Sequence, residues 1–125
     1  MPKDLRSYLK QLHKAAPDQI RRVGREVSHE WEPIAVIAKM DREGLYPAVL
    51  FDRVKGFEFR VIANILSTRK KFAVALDTIE DRIAEEIGAR EIRQVPPTLV
   101  ETGPVKDVIY TGNEVDLGHL PILLH

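Results

Sequence analysis

Pro47-Ala48-Val49-Leu50-Phe51-Asp52-Arg53-Val54-Lys55-Gly56 is the stretch on which the fold turns. A short apolar run, Ala48 to Phe51, lies between a proline and a Lys-Gly pair. A short apolar run between turn residues is the best strand signal in the chain. Beyond Gly56, the residues Phe57, Phe59 and Val61 alternate with Glu58 and Arg60, a period-two pattern with one face apolar. The two runs predict a β-hairpin near 47–66 with Gly56 in its turn, where a positive φ costs glycine nothing.

Helical patterns flank this hairpin. Asp4 is placed to cap a first helix whose Leu5, Tyr8, Leu9 and Leu12 form one apolar stripe, and Pro17-Asp18 ends it. Ile20 to Val27 reads as a weak strand, rich in arginine and interrupted by Gly24. Ser28 is expected to cap a second helix with Pro33 in its first turn, Trp31, Ile34, Ile37, Ala38 and Met40 or Asp41 on its inner face, and Gly44 at its end. After the hairpin, Ser67 or Thr68 opens a third helix carrying Phe72, Ala75 and Leu76. Thr78-Ile79-Glu80-Asp81 looks like a cap for a fourth, with Ile79, Ile83 and Ile87 on one face and Gly88 as its terminator. Val95-Pro96-Pro97-Thr98 reads as an extended linker, Val105 to Thr111 as a strand, and Gly112-Asn113 as a turn. The pattern predicts an α/β or α+β domain of two layers over residues 1–94, with a small mixed sheet and about four helices. Residues 95–125 read as a linker and strand leading toward a further domain.

With 125 residues, 44% apolar and 6% aromatic, the chain has enough apolar content for one domain core. No apolar run approaches the length of a membrane span. The absence of cysteine removes disulfides, thiolate metal sites and a cysteine nucleophile from consideration. With no apolar leader after Met1-Pro2-Lys3, a cytoplasmic setting is expected. Charge balances overall, but residues 1–71 carry 15 Lys/Arg against 9 Asp/Glu, and residues 72–125 carry 4 against 10. The two halves are expected to neutralise each other in part, or to meet across a subunit contact. A nucleic-acid reading of the basic half lacks the aromatic residues that stack bases.

Local chemistry is sparse. His13, His29, His119 and His125 show no metal-ligand spacing, and no phosphate loop, Gly-x-Ser-x-Gly or Gly-x-Gly-x-x-Gly is present. Arg69-Lys70-Lys71 at a helix start would suit a phosphate, but no glycine-rich loop precedes them, so they read as a solvated helix face. The most unusual feature is Leu117-Gly118-His119-Leu120-Pro121-Ile122-Leu123-Leu124-His125, which is too apolar for a free tail. Leu117, His119, Leu120, Pro121 and Leu123 are therefore expected to contact a partner domain.

Four stretches in order resemble the N-terminal region of the UbiD family of decarboxylases. Asp4-Leu5-Arg6-Ser7-Tyr8-Leu9 is similar to the family's opening DLRxFL. Arg25-Glu26-Val27 leads into an amphipathic helix ending in glycine. Pro47 to Gly56, followed by Asn64-Ile65-Leu66-Ser67-Thr68-Arg69, resembles PAVLFxxVKG…NLxxSR. Pro96-Pro97, Gly103-Pro104-Val105, Thr111-Gly112, Val115-Asp116-Leu117 and Leu120-Pro121-Ile122 resemble PP…GPVxEVxxTGxxVDLxxLPI.

The resemblance implies an N-terminal α/β domain of a longer enzyme, followed by a split-barrel-like domain binding prenylated FMN and a C-terminal domain that helps assembly, commonly as a homo-oligomer. It implies reversible, non-oxidative decarboxylation of an aromatic or α,β-unsaturated acid, with the flavin phosphate held through a divalent metal and potassium. The family's Glu-Arg-Glu constellation and metal ligands lie beyond the position matching His125, so no catalytic, cofactor or metal residue is assigned here. The chain is accordingly expected to be part of a carboxy-lyase and not active alone, whether as a truncation, a proteolytic piece or a natural split subunit. The alternative is a non-catalytic binding or assembly module with the same fold.

Overall fold

The computed structural model describes residues 3–124. Asp4 caps α1 (Leu5–Ala15): its carboxylate accepts from the Ser7 amide, and the Ser7 hydroxyl accepts from the Asp4 amide. This reciprocal pair satisfies two donors that a helix start otherwise leaves free. A 3-10 turn at Pro17–Gln19 leads into β1 (Ile20–Val27). Then follow α2 (Glu32–Arg42), β2 (Ala48–Val54), β3 (Val61–Ala63), α3 (Arg69–Leu76) and α4 (Ile83–Ile92).

The sheet has the order β1-β2-β3. β1 runs parallel to β2 through the α2 crossover, and β3 returns antiparallel with Phe51 opposite Val61. Between Val23 and Glu26 the register slips, so that Gly24 and Arg25 stand opposite Asp52 alone. That bulge, with Arg21, Arg22 and Arg25 exposed along the edge, guards β1 against pairing with another chain. The hairpin is present, with Gly56 at φ +83°, but the expected alternating strand over 57–61 is not. Phe57 bridges back to Val54, and regular pairing resumes only at Val61. The spacings differ by one residue, so the ladder cannot run unbroken through 57–61.

Helices pack on both faces of the sheet. On one, Val27, Val49, Phe51 and Val54 are buried with Ile37 of α2. On the other, Ala48 is buried with Tyr8, Leu12 and Ala16, and Tyr8 donates its hydroxyl proton to the Ile65 carbonyl at 2.7 Å. β2 is thus covered from both sides, as its continuous apolar run requires.

Several expectations are corrected. Ser28 does not cap α2. Its amide donates to the Glu32 carboxylate, while Trp31 occupies the N-cap with φ 62° and is 60% exposed, away from the helix's inner face. Thr78-Ile79-Glu80-Asp81 provides no side-chain cap: a 3-10 turn at Glu80–Arg82 intervenes, and α4 begins at Ile83. Gly88 lies inside α4, which runs on to Ile92. Phe72 and Leu76 do not face a core; the fully buried residue of α3 is Lys71. Val105 to Thr111 forms no strand. It opens in a 3-10 turn at Pro104–Lys106, is exposed throughout and pairs with no strand of the sheet among the described residues.

Candidate docking interface

Beyond α4 the chain is held mainly by short local turns. Thr111 and Glu114 form a reciprocal cap around a 3-10 turn at Gly112–Glu114, with Gly112 at φ +55°. Asp116 accepts from the Gly118 amide at 2.8 Å and starts a further 3-10 turn at Leu117–His119. These turns leave a series of large apolar side chains in water, including Leu99, Val105, Tyr110, Leu117 and Ile122.

Of the five expected contact residues, Leu117, His119 and Leu120 come together. They line one wall of a cleft of about 370 Å³, with Tyr110 beside them and Glu58 and Phe59 of the β2–β3 loop opposite. Pro121 and Leu123 lie outside that cleft and are half-buried. His119 faces Asp116 at 3.7 Å, with both side chains largely exposed. His125 lies outside the described residues. His13 is exposed on α1, and His29 meets Phe57 edge-on, with ring centroids 5.2 Å apart.

Among the described residues, hydrogen bonds tie the segment back at one point. Leu124 donates its amide to the His29 carbonyl at 3.1 Å and accepts from the Trp31 amide at 3.3 Å, a single parallel bridge beside α2. No local sequence pattern signals this pairing, because its partners lie more than ninety positions apart and the contact is through backbone.

Charged groups elsewhere are mostly structural. Lys71, expected on a solvated face, has no exposed surface. Its ammonium donates to the carbonyls of Tyr46 and Asn64, each at 2.6 Å, and to the Ser67 hydroxyl. Burial pushes its pKa down to about 8, so at neutral pH it keeps its proton and all three N–H groups are accepted. It pins the loop before β2 to the loop before α3, and no donor is left for a phosphate. Arg22 donates to Asp52 across the sheet and holds that carboxyl below its usual range; the other Asp52 oxygen is buried with no hydrogen-bond partner among the described residues. Among the described residues, no three His, Asp or Glu side chains come together in a way that could hold a metal ion. No described helix is long and apolar enough to cross a membrane.

A family model, the 3-octaprenyl-4-hydroxybenzoate carboxy-lyase N-terminal domain, matches residues 12–91. The chain belongs to the UbiD N-terminal domain family. The UbiD-type domain is similar over 99% of its length to an evolved dimeric form of the UbiD-class enzyme HmfF from Pelotomaculum thermopropionicum in complex with prFMN, with 31% identity and a TM-score of 0.83. Over 97% of its length it is similar to the Sedimentibacter hydroxybenzoicus vanillic acid decarboxylase, with 27% identity and a TM-score of 0.74. It shares its fold with the 3,4-dihydroxybenzoic acid decarboxylase of Enterobacter cloacae, at 21% identity and a TM-score of 0.67 over 79% of its length. The chain spans only 28% of the HmfF chain, 27% of the vanillic acid decarboxylase chain and 22% of the Enterobacter chain.

Proposed function

We propose that residues 1–94 form the N-terminal domain of a UbiD-like decarboxylase and that residues 95–125 lead to, and dock against, its flavin-bearing part. The observation that carries this reading is the exposed apolar segment: Leu117 and Leu120 line an open cleft with Phe59, on a domain whose UbiD-class relatives are more than three times longer. Apolar surface of this extent on a folded domain marks an interface. The domain's role is then structural, covering the flavin domain, limiting access to it and supporting assembly, in company with further domains or a companion subunit.

The chemistry falls to the partner. Prenylated FMN would supply the electron sink for loss of CO2 from an aromatic or α,β-unsaturated acid. The described residues do not fit the flavin phosphate's divalent metal and potassium, since no three His, Asp or Glu side chains cluster among them, and Asp77 and Asp52 are already paired with Lys3 and Arg22. No catalytic step is therefore assigned to this chain.

The test is capture of the flavin-bearing partner from source cells by tagged chain. Leu120→Asp or Leu123→Asp should each weaken capture at least tenfold, about 1.4 kcal/mol. Capture that is unchanged by both substitutions, or a captured partner without flavin, contradicts the reading.

A further inference from the structure

The bridge between Leu124 and the start of α2 coincides with Trp31, one of three non-glycine residues with positive φ among the described residues. Trp31 has φ 62° and ψ −29°, a conformation that bulky L-residues rarely adopt. Such strain persists only where surrounding contacts impose it, and it costs on the order of 1–3 kcal/mol. The side chain does not explain it, because Trp31 is 60% exposed and makes no side-chain cap. The backbone offers an explanation: the Trp31 amide donates to Leu124, and the His29 carbonyl two residues earlier accepts from Leu124. The same turn is fixed from within by the Ser28 amide on the Glu32 carboxylate and the Glu30 amide on the Ser28 hydroxyl.

We propose that His29–Trp31 is an intramolecular docking surface for the chain's own Leu124, and that this backbone latch, rather than stiffness of the linker, fixes the course of residues 117–124. Among the described residues from Val95 onward there are only short 3-10 turns and no α-helix or sheet strand to hold the chain's direction. Freed at Leu124, it would sweep widely about the end of α4. Latched, it holds Leu117 and Leu120 beside Phe59 and seats Leu124 beside α2. This rests on the docking reading for its purpose, but its test needs neither partner nor activity.

Because the chain lacks cysteine, Ala35→Cys on the exposed side of α2 and His119→Cys take nitroxide labels without background. Double electron–electron resonance on the doubly labelled chain should give one narrow distance distribution. Leu124→Pro, which removes the amide donated to His29, should broaden it severalfold. Leu124→Ala keeps both backbone groups and should leave it narrow. Circular dichroism checks that each variant is folded, as expected for a residue outside both cores. A broad distribution in the parent, a narrow one in Leu124→Pro, or a broad one in Leu124→Ala overturns the latch. None of these results bears on whether a flavin-bearing partner is captured.

Discussion

Lys71 shows how one side chain can be misread from sequence and still decide local structure. In the run Arg69-Lys70-Lys71 it is indistinguishable from its neighbours, yet it alone turns inward, three residues after the Thr68 cap. Its three acceptors lie on loops at Tyr46, Asn64 and Ser67, and two of them are backbone carbonyls that no motif encodes. Lys71→Met strands these acceptors and should cost about 3 kcal/mol in urea unfolding. The folded pKa of about 8 lies below the ordinary 10.5, so the folded state releases this proton first. Stability contributed by Lys71 therefore rises with pH between those values, and the gap between the parent and Lys71→Met should widen from pH 8 toward 10.5. The Asp4 cap, by contrast, was readable from sequence, because both its partners lie within four residues.

At the scale of elements, strand β2 and helix α1 were legible because burial follows their own periodicity. Phe51 has no exposed surface and stands at the centre of the sheet, so Phe51→Ala should destabilise by roughly 3–5 kcal/mol, measured by chemical unfolding. The misreadings occur where a local stop signal met a tertiary contact. Gly88 looked like the end of α4, but the helix continues because Arg90 reaches the Leu76 carbonyl at 2.6 Å and pairs with Glu86. A Cβ at Gly88 meets nothing within 4 Å. Gly88→Ala should therefore stabilise the domain by about 0.5–1 kcal/mol, read as a rise in thermal midpoint. Val105 to Thr111 shows the converse: strand-forming residues that pair with no strand of the sheet stay exposed and irregular.

For the whole molecule, the charge asymmetry is scarcely relieved inside the fold. Lys3–Asp77 is the only ion pair between residues 1–71 and 72–125 among the described residues. The remaining pairs are local to each half, so the two halves do little to neutralise each other within the fold. Asp52, Glu32 and Asp77 are held below their ordinary values, by Arg22, by the Ser28 amide and by Lys3 respectively. Each contributes stability that is present above its unfolded value, 3.8 for aspartate and 4.5 for glutamate, and lost as pH falls through the folded one. Acid titration should show unfolding promoted below about pH 4, with a shallower slope in Asp77→Asn. The family was legible from motifs spread along the chain. Of the cleft formed by Leu117, His119 and Leu120, only this linker side was legible, because Phe59 joins it through tertiary structure. The central claim, that this domain works as part of a flavin-bearing decarboxylase, is tested most directly by native mass spectrometry of the protein isolated from its source cells. The account predicts residues 1–125 within, or bound to, a larger polypeptide carrying a flavin-sized adduct. A lone chain or a self-oligomer without flavin would contradict it.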